Sequence, residues 1–292
     1  MSHPTVAVII VTYDSGRVLG MCIDSLQAQT RRPDLVIVVD NNSPDPAYLD
    51  SVPRQPPFQL LRGSRNEGFC GGNNAGYALA RSCKYVLFLN PDAFPSDGFI
   101  ADALAWMELP ENTRVGCLTG ALLGFDVETR RPTGKIDSTG VFQSWYGKWY
   151  DREQGSFWDA AATRSDTEEV PAACGALMFC RTAALEAVAL GMREIFDRRF
   201  FMYKEDIDLS LRLRAGAWRI VYRPRLLCHH GRGWQSRGSA SYRAKYLSAR
   251  NELRICWRHR LPTLPYTLAK YIFVVLLERR LPGMARTRRE RP

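Results

Sequence analysis

The side chains able to do chemistry in this chain are gathered in a few short acidic, histidine-bearing and glycine-rich segments. Val38-Val39-Asp40-Asn41-Asn42-Ser43 reads as a strand ending in a carboxylate, which could accept from a ligand's base or ribose or cap the next turn. In Asn66-Glu67-Gly68-Phe69-Cys70-Gly71-Gly72-Asn73, the glycines permit close approach of backbone to a ligand, and the helix that follows offers free N–H groups to an anion. These glycines lack GxGxxG spacing after a first strand and no GK[ST] occurs, so a dinucleotide fingerprint and a P-loop are both excluded. Leu87-Phe88-Leu89-Asn90-Pro91-Asp92 sets a carboxylate just past an apolar strand. That position suits a hard divalent cation bridging to diphosphate, provided ligand oxygens and another side chain complete its shell; a plain turn would also explain it. Glu205, Asp206 and Asp208 open a helix, where the dipole favours acids and where one facing a cleft could take a proton from an attacking hydroxyl. His229 and His230, two of only four histidines, stand side by side before Gly231, as a metal ligand or as part of a turn.

Such groups need a rigid frame, and the hydrophobic pattern supplies one. Val6–Val11, Leu35–Val39, Phe58–Leu61, Tyr85–Leu89 and Val115–Leu118 read as strands, and helical spacing over Arg17–Ala28, Gly71–Arg81 and Asp97–Met107 alternates with them. This order implies βαβ units and a mainly parallel sheet flanked by helices. Ligands bind beyond the carboxyl ends of such strands, here Thr12–Asp14, Asp40–Ser43, Arg62–Asn66 and Asn90–Asp92, all polar. Residues 121–170 lose the rhythm. With Trp145, Tyr146, Trp149, Tyr150 and Trp158, they form either a binding loop whose aromatics stack on a sugar or a surface excursion pinned by its own rings. A strand running to Phe179, a helix over Ala183–Leu190, the acidic helix and a short strand at Arg219–Tyr222 follow.

The net charge of +10 is unevenly placed: residues 239–292 hold 13 basic and 3 acidic side chains, leaving the first 238 balanced at 27 of each. A neutral body argues against a general nucleic-acid binder. Within the tail, Tyr242–Arg258 reads as a basic helix, and Leu264–Leu277 is apolar apart from Lys270, too short to span a bilayer at roughly 20 residues. It fits an interfacial helix on an anionic leaflet, or a helix packed on the domain or on a second subunit in a homodimer. Eight cysteines without a CxxC pair predict free thiols in a reducing cytosol, and the start Met1-Ser2-His3-Pro4 has no basic leader region.

The joint order of strand-end Asp40, Gly/Asn loop, Asn90-Pro91-Asp92, acidic helix start and His-Gly resembles the family 2 glycosyltransferases of GT-A fold, over roughly residues 5–236. It is similar in particular to bacterial dTDP-rhamnosyltransferases of cell-surface polysaccharide assembly. The resemblance implies a GT-A domain over 1–238, with a nucleotide-binding half at 1–120 and an acceptor and catalytic half at 121–238, and a helical extension over 239–292. It implies that Thr12 and Asp40 bind base and ribose of a dTDP- or UDP-linked sugar, with Asn42, Asn66, Gly68 and Asn73 near the nucleotide. Asn90 stands where the family's DXD motif begins and Asp92 where it ends; Asp92 and His230 would hold Mn²⁺ or Mg²⁺, with His229 as the alternative. Glu205 would lie by the donor, and Asp206 would be the general base of a single displacement with inversion. The processive QxxRW motif is absent. A lipid-linked or glycan acceptor and a peripheral place at the inner face of the cytoplasmic membrane follow as expectations.

Overall fold

In a computed structural model describing residues 5–159, 167–191, 194–231 and 241–278, the chain begins with β1 (Val6–Thr12), α1 (Leu19–Gln27), β2 (Leu35–Asp40), β3 (Phe58–Arg62) and α2 (Gly68–Ala80). It continues through β4 (Tyr85–Leu89), β5 (Ala93–Pro95), α3 (Phe99–Met107), β6 (Val115–Asp126), β7 (Arg131–Ser138), β8 (Val141–Gln143) and β9 (Trp149–Asp151). It closes with β10 (Glu168–Glu169), β11 (Leu177–Arg181), α4 (Thr182–Ala187), α5 (Glu205–Ala215), β12 (Arg219–His230), α6 (Tyr242–Arg258) and α7 (Leu264–Phe273).

The β-branched run of β1 is almost wholly buried, as a central strand covered on both faces must be. It pairs in parallel with β2 and β4, and its last residue, Thr12, is in register with Asp40 at the end of β2. The main sheet has the order β10-β12-β6-β11-β4-β1-β2-β3. Along it β3, β2, β1, β4, β6 and β12 share one direction, and β11 and β10 run against them. The α/β class with a mainly parallel sheet flanked by helices therefore holds. α2 lies tight on β1: a Cβ on Gly72 or Gly76 would come within 2.5 Å of Val11 or Ile9 side-chain carbons.

Two strands are much longer than their apolar runs. β6 continues to Asp126 because Gly116, Gly120 and Gly124 interrupt its hydrophobic pattern without breaking its backbone, and it is buried for most of its length. β12 reaches His230 across a register shift between Arg223 and Leu227, which hides its period around Pro224. Residues 121–170 are accordingly not irregular throughout. β6 and β7 pair as one antiparallel ribbon, and β8 and β9 as another.

The basic helix α6 is part of the body. Arg258 contacts both oxygens of buried Asp208 at 2.8 and 2.9 Å and also meets Asp197, while Arg212 and His259 reach Asp208 at 3.0 Å. Burial raises the Asp208 pKa, but hydrogen bonding by His259 and the charges of Arg212 and Arg258 outweigh it and leave it lowered. Glu252, also buried, pairs with Lys270 of α7. Arg258 and Lys270 of the tail are therefore engaged in internal contacts. The expected boundary at 238/239 falls outside the described residues.

Candidate active site

Where β4, β12 and α5 converge, a cleft of about 1150 Å³ opens beyond the carboxyl edge of the parallel strands. Asn90, Asp92, Glu205, Asp206 and His230, distant in sequence, all line it.

Alternation along β12 separates the two histidines. His229 faces the Phe125 ring, whereas His230 is buried and its Nε2 stands 3.3 Å from Asp92 Oδ1. Behind it, His230 Nδ1 and Asp137 Oδ2 share a hydrogen bond of 2.7 Å, the arrangement by which a carboxylate orients an imidazole toward a ligand. Burial would lower the His230 pKa, but its bonds to Asp137 and Asp92 outweigh that and raise it to about 9, so a metal bound here would have to displace the Nε2 proton. Two donors this close fit neighbouring positions around one hard cation at metal–ligand distances of about 2.1 Å. Among the described residues no cluster of three His, Cys, Asp or Glu side chains forms a full cage, so substrate oxygens would have to complete the shell.

Asp206 opens α5 with both carboxylate oxygens engaged: Oδ2 accepts from Gly175 N–H and Oδ1 from its neighbour Ile207 N–H, each at 2.8 Å. Each oxygen retains a lone pair for a substrate hydroxyl. Burial is the main cause that raises its pKa, and that makes it a stronger base. Glu205 beside it is buried, and its Oε2 has no hydrogen-bond partner among the described residues. Burial and the Asp206 charge push its pKa upward. The approach to this pair is strained: Phe201, Tyr203 and Lys204 have φ of 67°, 72° and 72°. Fully buried Asn251, on α6, donates its side-chain amide to the Phe200, Met202 and Tyr203 carbonyls, each at 2.9 Å.

The residues expected around the nucleotide lie outside this lining, along the β1, β2 and α2 edge. Asp40 Oδ1 takes the Ser43 hydroxyl at 2.6 Å, and Tyr48 links Ser43 to Thr12 at 2.8 and 3.0 Å. Asp40 Oδ2 is buried without a hydrogen bond, 3.7 Å from Arg62 Nε. Asn42 is exposed with φ 63°, and Asn66, also exposed, accepts from Gly68 N–H at 2.9 Å. Gly68 and Asn73 are both engaged by the chain itself. Gly68, at φ +71°, makes room for the chain itself: a Cβ there would meet the Phe201 carbonyl at 2.3 Å. Asn73 is buried in α2 with its amide donated to Phe69 O at 3.0 Å, a helix-internal bond.

Sequence reasoning missed Asp137, Asn251 and the cleft-lining Ser241, which caps α6, Lys245 and Ser248 of α6 and Lys270 of α7. The one available signal was a polar Asn251 on the buried face of an amphipathic helix. Of the aromatic segment, Trp149 and Tyr150 line the cleft while Trp145 is 93% exposed.

The mainly parallel sheet flanked by helices, with this cleft at its carboxyl edge, is the GT-A fold. The structure resembles GalNAc-T7, crystallised with UDP, GalNAc and Mn²⁺, at a TM-score of 0.67 and 17% identity over 88% of this chain, which spans about half (48%) of that protein. It likewise resembles the Pyrobaculum calidifontis mannosyltransferase PcManGT, crystallised with GDP-Man and Mn²⁺, at a TM-score of 0.58 and 16% identity over 95% of this chain and 71% of that one. Residues 7–188 match Glycosyl transferase family 2, and the chain belongs to that family. It is 28% identical over 273 residues, 86% of each chain, to the N-acetylglucosaminyl-diphospho-decaprenol L-rhamnosyltransferase of Mycobacterium tuberculosis. A shorter match, 33% over 108 residues and 36% of this chain (35% of the relative), is to the galactofuranosyltransferase GlfT1 of Mycolicibacterium smegmatis.

Proposed function

We propose that this protein transfers L-rhamnose from dTDP-rhamnose, with inversion and dependent on Mn²⁺ or Mg²⁺, to a sugar carried on a lipid diphosphate in cell-envelope glycan synthesis. The observation that carries this reading is the Asp206 carboxylate, held by two backbone N–H groups in the same cleft as the Asp92–His230 pair. The donor and acceptor rest on the rhamnosyltransferase likeness along most of the chain.

In this reading Asp206 accepts the proton of an acceptor hydroxyl as that oxygen attacks the anomeric carbon from the face opposite the leaving diphosphate. Asp40 and Thr12 bind the base and ribose, with Asn42, Asn66 and Asn90 along the donor. A cation held by Asp92 and His230 would supply positive charge to the leaving diphosphate. Asp137 holds the His230 ring in place, and Glu205, kept neutral by burial, can donate to a sugar oxygen.

Peripheral binding to the inner leaflet of the membrane belongs to the same proposal. No helix among the described residues is long and apolar enough to cross a membrane. α7 and the turn after it expose Leu268, Ile272, Phe273 and Leu276 by 45–52% along one ridge, suited to lying on an anionic leaflet beside a lipid-borne substrate.

A thermal-shift panel tests the donor: dTDP-rhamnose, UDP-galactofuranose, a UDP-hexose and GDP-mannose, each with and without Mn²⁺. The largest shift is expected from dTDP-rhamnose with Mn²⁺. Saturation at about 100 times Kd would add about 2.7 kcal/mol. The GlfT1 match favours UDP-galactofuranose as the second reading, and a larger shift with that donor would establish it. No shift with any donor would end the transferase reading.

A further inference from the structure

We infer that the wall of the cleft built by α6 and α7 binds the diphosphate of the acceptor, with Lys245 as its main cation. The inference rests on the transferase reading and says where that substrate's anionic group is held. Ser241, Lys245 and Ser248 recur at four- and three-residue spacing, one face of a helix, and all three line the cleft. A lysine flanked by two hydroxyls supplies the charge and the hydrogen-bond donors that phosphate oxygens require. From α7 and the turn after it, Lys270 and Val274 line the same cleft. Lys270 is tied to buried Glu252, which fixes α7 against α6 and holds its ammonium at this wall.

The rest of the cleft is unsuited to a second diphosphate. Asp92, Asp151 and Asp206 line it, and Lys204 stands beside Asp206. A donor diphosphate can approach Asp92 only through a cation, whereas the α6–α7 wall carries Lys245 on the cleft with the Glu252-paired Lys270 beside it. The two sides of α7 then match the two ends of one ligand. Lys270 and Val274 face the cleft, and Leu268, Ile272 and Leu276 are exposed on the other side. A diphosphate joined to a hydrocarbon chain can set its anion on the wall and its chain along the ridge, leaving its sugar pointing toward Asp206.

The test uses the full chain, Mn²⁺ and whichever donor stabilises it most. Two acceptors carry N-acetylglucosamine on the same short prenyl chain in detergent, one through diphosphate and one through a neutral glycosidic bond. Lys245→Gln is expected to raise KM for the diphosphate acceptor about tenfold, with kcat, donor-induced thermal shift and KM for the neutral acceptor within about twofold of the wild type. Lys245→Arg restores most of the affinity, and Ser248→Ala shifts the same KM in the same direction. An unchanged KM, or equal rises for both acceptors, would overturn the inference. So would an effect that appears only in phosphatidylglycerol vesicles, which would make Lys245 a reader of lipid headgroups. If no donor binds and neither acceptor is used, the transferase reading itself fails; donor binding with transfer that ignores the diphosphate refutes this inference alone.

Discussion

Removing the Asn251 amide tests whether α6 sets the loop ahead of Asp206. Three non-glycine residues in the left-handed region cost of order 1 kcal/mol each, about 3 kcal/mol stored directly ahead of Glu205 and Asp206. Asn251 opposes that strain by donating to three carbonyls of the same loop, and its Oδ1 accepts from Arg250 at 3.0 Å. At a net of about 1 kcal/mol for each of the two N–H donors those carbonyls share and for the Arg250 bond, Asn251→Ala should cost about 3 kcal/mol. That is comparable to the strain, so the loop relaxes and carries Asp206 away from its place. A displacement near 1 Å costs about 10²-fold in rate, and the lost stability lowers Tm by about 5 °C. The assay is steady-state transfer with the donor thermal shift measured in parallel: kcat should fall about 100-fold while the donor shift persists. Asn251→Asp keeps the shape and the arginine contacts but, when ionised, cannot donate, so it should be as slow as the alanine variant. Either variant retaining kcat within about threefold, with Tm lowered as expected, would refute positioning and leave only a structural role.

Other consequences are simpler. Asp206→Asn should lower kcat by about 10² to 10⁴ while the donor thermal shift remains, and undiminished transfer would remove Asp206 as the base. Asp92→Ala should abolish the Mn²⁺-dependent part of nucleotide affinity by calorimetry; the same Mn²⁺ enhancement in variant and wild type would place the cation elsewhere. Burial raises the Glu205 pKa, so the folded state holds this proton more tightly than the unfolded state does. The associated stability is intact below the ordinary Glu range of about 4 and is lost as pH rises toward the raised value. Glu205→Gln, neutral throughout, should therefore match wild-type Tm near pH 4 and exceed it increasingly toward pH 9. A gap in Tm that does not widen with pH would contradict that burial effect.

Local pattern was enough to place β1, β2 and β4, because a continuous run of branched apolar residues between polar turns has few other uses. From that alternation the carboxyl edge, and with it Asp40 and Asn90–Asp92, could be read directly. The order of the acidic and glycine segments pointed to the family before any contact was known, and the Glu205-Asp206 pair marked a helix start by composition alone. Tertiary structure decided what each group touches. Gly68 belongs to the close approach of α2 and the Phe201 loop, a contact across more than a hundred residues that no local signal encodes. His230 differs from His229 only through the pleat of β12, whose length is masked by a register shift, and Asp137 meets it from a strand with no motif. Asp208, one of three similar acids by sequence, is the anchor for Arg258. The excess positive charge of the last 54 residues could be counted from the sequence, but a count carries no direction. Packing turns Arg250, Arg254 and Arg258 onto backbone carbonyls and buried carboxylates and sets Lys245 and Lys270 on the cleft, because a helix distributes its charges by its 3.6-residue turn and its neighbours decide which face meets which.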